Sequence, residues 1–254
     1  MDLGDFSAST NLVALFLARA DALGERPFLW AKRAGAWIAC DWNEAARTVC
    51  LVAEALRGLG LDAGDRVMLV SENRPDWLLA DLAIMAAGCV TVPSYTTNTP
   101  ADHVHVLTDS GARAVIVSGP ALGARVLAAI DDAPDARLLI TMAPIVGPTP
   151  EGVVSHSWQA LCTGDPRSAR AAVEARIAAI GRADLACIIY TSGTDGTPRG
   201  VMQHHGAILH TVAGAARIIA EDFGWDRSGH KREVFLSFLP ASHAYEHSAG
   251  QFLP

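Results

Sequence analysis

Leu185-Ala186-Cys187-Ile188-Ile189-Tyr190-Thr191-Ser192-Gly193-Thr194-Asp195-Gly196-Thr197-Pro198-Arg199-Gly200 is the stretch on which the fold turns. It opens with an unbroken apolar run, the pattern of a strand buried on both faces. A turn rich in Gly, Ser and Thr follows, and then a helical stretch from about His205 to Glu221. Strand, glycine-rich loop and helix in that order make a phosphate cradle. Glycines let the backbone approach an anion, exposed N–H and hydroxyl groups donate to it, and Arg199 supplies a cation. No Gly-Lys-Ser/Thr closes the loop, so it is not a Walker A sequence.

Outward from this stretch, strands and helices alternate. Short apolar strands are expected at Val67–Val70, Cys89–Val92, Ala114–Val117 and Leu138–Thr141, and after the loop at Val234–Leu239. Helices are expected at Pro75–Ala87, from Thr99 as cap, at Leu122–Ile130, at Ser155–Cys162 and at Pro166–Ile180. Such alternation predicts an α/β fold, a layered parallel sheet covered by helices. Ahead of it, Asn11–Leu23 reads as an amphipathic helix, and Phe28–Trp30 with Trp37–Ala39 as a hairpin around Arg33-Ala34-Gly35. Asp41 and Glu44 form a capping box for a helix whose apolar face is Ala45, Val49, Val52, Leu56 and Leu59. Ala143–Pro150 is a loop, Asp222–Arg232 a polar turn. Residues 1–180 are expected to form one α/β subdomain, and 181–254 the start of a second. The chain stops on an apolar stretch, as the front part of a longer protein would.

Half of the 254 residues are hydrophobic, enough for a sizeable core. The net charge of −7 argues against a nucleic-acid binder driven by bulk charge. Five scattered cysteines with no CxxC pair read as buried free thiols, which suits a reducing cytosol. The N-terminus lacks a signal-peptide pattern, and no apolar run approaches the ~18 residues that span a bilayer. The expected location is cytoplasmic, with peripheral contact on the inner face of a membrane left open. Trp30 and Trp77 read as core or interface packing rather than ligand stacking.

Three blocks carry a resemblance. Tyr190 to Val201 resembles the phosphate-binding signature of the adenylate-forming superfamily, Tyr-Thr-Ser-Gly-Thr-Thr-Gly-x-Pro-Lys-Gly-Val, with Asp195 and Arg199 as departures. Leu236 to Glu246 is similar to the Leu-Pro-Leu-Ser-His-x-x-Glu segment of its long-chain fatty acyl-CoA synthetase branch. The third block runs from Gly64 through Glu72-Asn73-Arg74-Pro75-Asp76-Trp77 to Pro93.

The resemblance implies activation of a long-chain fatty acid by ATP, with acyl-adenylate as intermediate and coenzyme A as acceptor. It implies Mg²⁺ beside the phosphates, and Thr191, Ser192, Gly193, Thr194, Asp195, Gly196, Thr197 and Arg199 around them. His243 and Glu246 are placed at the acyl or CoA pocket. The catalytic residues of the family are expected downstream of Pro254, so the isolated chain is expected to be inactive. Fatty acid, ATP and CoA are the implied partners, and oligomeric state is not implied.

Three other readings remain. One is another acyl or aryl adenylate-forming ligase. A second is a non-catalytic, truncated nucleotide-binding fragment. The third is a zinc peptidase, because His243-Ala244-Tyr245-Glu246-His247 spells His-x-x-Glu-His; a third ligand is not evident, and no metal ligand is assigned.

Overall fold

The computed structural model describes residues 4–193, 197–222 and 234–253. Seven strands form one sheet in the order β7-β6-β5-β3-β4-β8-β9. These are β3 (Arg66–Val70), β4 (Val90–Ser94), β5 (Ala112–Val117), β6 (Leu138–Thr141), β7 (Val154–Ser157), β8 (Leu185–Thr191) and β9 (Arg199–His204). All neighbours are parallel except β8 and β9, which are antiparallel. The expected α/β class with a mostly parallel sheet is what the chain adopts. The strands on either side of residue 180 lie in this one sheet, since β4 pairs with β8.

The central strands are apolar on both sides because both faces are covered. Val67 and Leu69 of β3 enter one core, with helices α3 (Trp42–Gly58), α4 (Pro75–Ala86) and α8 (Pro166–Ile177). Met68 and Val70 enter the other, with α5 (Pro100–Ser110) and α6 (Pro120–Ile130). The chain steps from β3 to β4 through α4 on the first face. It then returns past β3 to β5 through α5 on the second. Reversing direction while changing face is what right-handed crossovers require. The reversal creates a switch point at the C-terminal ends of β3, β4 and β5, where open α/β sheets bind their ligands.

Local chemistry sets the helix starts. Asp41 and Glu44 form the expected capping box on α3, and Thr99 forms another with Asp102 on α5. Asn11 caps α2 (Leu12–Leu23); its amide also donates to the carbonyls of Ile177 and Ile180, tying the N-terminal helix to α8. A short α1 (Gly4–Ala8) precedes it.

The hairpin of β1 (Pro27–Arg33) and β2 (Ala36–Asp41) forms as expected, as a separate two-stranded sheet. Its two-residue turn has Ala34 at φ 47° and Gly35 at φ 86°, the handedness that matches strand twist. A non-glycine residue there costs about 1 kcal/mol.

Three expected elements differ. Ser155–Cys162 is not one helix: residues 154–157 pair in parallel with β6, and Ser157 then caps the short α7 (Trp158–Leu161). The free edge of β6 captured a segment whose own preference is weak. Val234–Leu239 forms no strand, because no described segment lies beside it to complete a ladder. Third, the phosphate loop does not lead straight into a helix. Strand β9 intervenes, and α9 (His205–Asp222) follows it. The polar turn expected at Asp222–Arg232 lies, beyond Asp222, outside the described residues.

The five cysteines are free, three buried and two half-buried. Burial pushes each thiol up, Cys89 to about 12, so they behave as packing residues. Trp77 is a core residue, whereas Trp30 stands half-exposed on the hairpin, outside the core. A two-stranded hairpin has only one face to bury.

Candidate functional site

β8 runs parallel to β4, so its C-terminal residue Thr191 emerges at the same edge as the ends of β3, β4 and β5. The two stems of the hairpin that β8 makes with antiparallel β9, Ser192–Gly193 and Thr197–Pro198, therefore stand at the edge where such sheets bind ligands. Thr191, Ser192, Thr197 and Arg199 are exposed there and Gly193 is half-exposed. Thr194, Asp195 and Gly196 lie outside the described residues.

Two contacts from α5 fix the stems of this hairpin. Tyr190 donates its phenol to Asp109 at 2.6 Å, and burial together with this bond holds the phenol above its ordinary pKa. His105 Nε2 donates to the carbonyl of Pro198 at 2.8 Å, with its ring edge-on to Tyr190. Gly200 pairs with Tyr190 across the ladder. A Cβ there would lie 2.8 Å from Ile188 Cγ2 and 3.2 Å from the Tyr190 ring, so the close approach needs glycine.

The N-terminus of α9 does not serve the loop. The His205 N–H donates to Asp184 O and the Gly206 N–H to Arg182 O. The helix-terminus component of the expected cradle is therefore corrected. An anion at this loop would be met by loop N–H groups, hydroxyls and the Arg199 guanidinium. That donor set fits a triphosphate.

The second block reaches the same edge through Asn73, in the loop after β3. Its Nδ2 donates to Leu239 O at 2.6 Å and Ser237 Oγ at 3.0 Å, and its Oδ1 accepts from the Ala241 N–H at 2.9 Å. Beside it, Glu72 accepts from Ser118 Oγ at 2.6 Å, joining the ends of β3 and β5.

The chain then enters a π-helical turn, Glu246–Gly250. His243 is exposed, whereas Glu246 and His247 are completely buried. Glu246 accepts from Ser237 Oγ at 2.6 Å, and Gly250 leaves room for its carboxylate, since a Cβ would sit 2.5 Å from Cδ. His247 Nε2 donates to Asp81 Oδ2 at 3.0 Å. His243 and Glu246 are thus brought onto one turn but into different surroundings. The His-x-x-Glu-His pattern presents one exposed and one bonded, buried imidazole. Among the described residues no three His, Cys, Asp or Glu side chains gather to hold a metal ion.

Sequence reading did not find Asn73, Asp81, His105 or Asp109. Asn73 and Asp81 both lie within the third block, but no spacing rule pairs them with residues more than a hundred positions away. His205, at the start of α9, is buried and accepts from the Leu12 N–H at 3.4 Å; burial drives its pKa down to about 4.

The chain belongs to the AMP-binding enzyme family, whose model matches residues 16–254. It is 33% identical over 214 residues to long-chain-fatty-acid–CoA ligase FadD15 of Mycobacterium tuberculosis, covering 82% of this chain and 32% of that protein. It is 31% identical to the peroxisomal long chain acyl-CoA synthetase 7 of Arabidopsis thaliana, covering 81% of this chain and 28% of that protein. Among solved structures, a benzoate CoA ligase from Burkholderia xenovorans LB400 superposes with a TM-score of 0.62 at 25% identity, over 80% of this chain and 36% of that one. The anthranilate CoA ligase AuaEII, solved with anthranoyl-AMP, shares the fold with a TM-score of 0.65 at 21% identity, over 84% of this chain and 38% of that one. The chain spans about a third of the length of the curated relatives it matches.

Proposed function

We propose that these residues form the nucleotide-binding front of an adenylate-forming ligase that activates a long-chain fatty acid and passes it to coenzyme A. The observation that carries this reading is the β8–β9 turn. It is a loop of hydroxyls, glycine and Arg199, held by Tyr190–Asp109 and His105–Pro198 at the ligand-binding edge of the sheet. The ligase names of the relatives and the match of the long-chain block from Leu236 to Glu246 support the choice of acid.

In this reading Thr191, Ser192, Gly193, Thr194, Asp195, Gly196, Thr197 and Arg199 surround the β- and γ-phosphates of ATP. They position the α-phosphorus for attack by the fatty-acid carboxylate and stabilise the charge that leaves with pyrophosphate. Positioning and electrostatics are the main contributions a protein makes to such a transfer. Bound Mg²⁺ would screen the phosphates. Asn73 holds the 237–241 segment across the edge, and His243, exposed just beyond it, faces the acyl or CoA side of the reaction. The protein acts in the cytoplasm, in peripheral contact with the inner face of a membrane.

The test is acid-dependent pyrophosphate release with ATP and Mg²⁺ by the protein that carries these residues, with palmitate, benzoate and acetate in parallel. Preference for palmitate supports the reading. Preference for benzoate or acetate moves the assignment to another branch of the family. Binding of ATP without release on any acid identifies a non-catalytic nucleotide-binding protein.

A further inference from the structure

The β1–β2 hairpin stands apart from the main sheet and is rooted by aromatic packing. Phe28 stacks on Trp42 with ring centroids 3.7 Å apart, and Phe16 lies 5.9 Å from Phe28. Beyond this root every residue from Lys32 to Ile38 is exposed. Among them are large apolar side chains: Trp37 is 60% and Ile38 51% exposed, and Trp30 is 49% exposed just below.

The register sets their arrangement. Trp30 lies opposite Ala39 and Lys32 opposite Trp37, so both tryptophans and Lys32 share one face, while Ile38 opposite Ala31 is on the other. Arg33 ends the strand at the turn. Between Pro27 and Cys40 there are two cations, Lys32 and Arg33, and no acidic residue, in a chain of net charge −7. A projecting element that exposes apolar groups on both faces, with indole rings beside cations at its tip, matches the zone where hydrocarbon meets charged headgroups. There an indole is half-buried with its N–H wet, and Lys and Arg reach acidic headgroups. The acidic remainder of the chain would keep the rest of the molecule off such a surface.

We propose that this hairpin docks on the anionic face of a lipid bilayer, with Trp30, Trp37 and Ile38 in the headgroup region and Lys32 and Arg33 on acidic lipids. It rests on the peripheral membrane contact of the proposed function and supplies its surface. Because lipid binding is read without turnover, failure of acid activation and failure of docking are separate results.

The experiment is co-sedimentation of the protein with vesicles of phosphatidylcholine alone and of equal parts phosphatidylcholine and phosphatidylglycerol. It compares the parent with Trp30→Ser/Trp37→Ser and with Lys32→Gln/Arg33→Gln. All four side chains are exposed, and circular dichroism verifies that each variant is folded. The parent should bind the mixed vesicles and bind less as salt is raised. Each double variant should lose at least about fivefold in partitioning, the scale of one cation at a charged surface. Lipid brominated in the upper acyl chain should quench the parent's tryptophan emission, and the quenching should fall in Trp30→Ser/Trp37→Ser. Equal binding by parent and tryptophan variant, or no binding to mixed vesicles, overturns the proposal. So does a parent dimer in sedimentation velocity that disappears in the tryptophan variant, which would make the face a contact between copies.

Discussion

Asn73 and Ala241 are joined by a 2.9 Å hydrogen bond from the Ala241 N–H to the Asn73 Oδ1, while the same amide donates to the carbonyl of Leu239 at 2.6 Å. One side chain after β3 therefore satisfies both polar directions of a segment 168 residues away that has no ladder of its own. This is how the second block is set against the end of the sheet, ahead of His243.

Asn73→Ala should free that segment at a modest cost, about 1–2 kcal/mol for exposed hydrogen bonds, read by urea denaturation. If His243 serves the acyl or CoA side, the variant should raise the KM for palmitate or CoA and leave the affinity for ATP near that of the parent. A defect confined to ATP would separate Asn73 from that role.

The residues explain why some of this architecture is legible in sequence. β3, β5 and β6 are short apolar runs because both of their faces are buried, and the caps at Asp41 and Thr99 are chemistry within four residues. β7 and β9 are different. Val154-Ser155-His156-Ser157 has little strand character and is extended because β6 lies beside it. Arg199–His204 is a strand because Gly200 lets it close on Ile188 and Tyr190. The loop itself was legible as ordered residue types. Its anchors were not, since Tyr190–Asp109 and His105–Pro198 span 81 and 93 residues.

The Asp81–His247 bond is completely buried, beneath the π-helical turn and beside Trp77. Removing one member strands the other in a low dielectric. Asp81→Ala should cost about 3 kcal/mol or more, and Asp81→Asn, which keeps an acceptor, distinctly less. Urea midpoints measure both. A loss under about 0.5 kcal/mol for Asp81→Ala, the size of a surface change, would show that the pair does not hold the turn.

Stability should fall in mild acid. His103, bonded to Ser94 Oγ at 3.1 Å, and His205 are both depressed to about 4, first of all by burial. Both are neutral in the fold at neutral pH, while in the unfolded chain they take up protons near 6.5. Their contribution is intact above about pH 6.5 and is lost as the pH falls from there toward 4, by up to about 3 kcal/mol each. Urea titrations at pH 7, 5.5 and 4 should show the decline, and His103→Gln should flatten it. A stability curve unchanged across that window would contradict the burial of neutral imidazoles.

Asp195 places a carboxylate in a loop of anion donors. At about 5 Å from a phosphate oxygen and an effective dielectric near 20, two unit charges repel by roughly 3 kcal/mol before screening. Asp195→Thr should tighten ATP binding several-fold, most at low Mg²⁺. Weaker binding by the variant at every Mg²⁺ concentration would instead make Asp195 a metal contact.

The central claim, that the β8–β9 turn receives the triphosphate of ATP, is tested most directly by titrating the protein with Mg-ATP while following backbone amide resonances. Saturable shifts centred on Thr191–Arg199, weakened about tenfold or more in Arg199→Ala by loss of a charge-assisted contact, are the predicted result. Shifts centred elsewhere, or an affinity unchanged in Arg199→Ala, would contradict it.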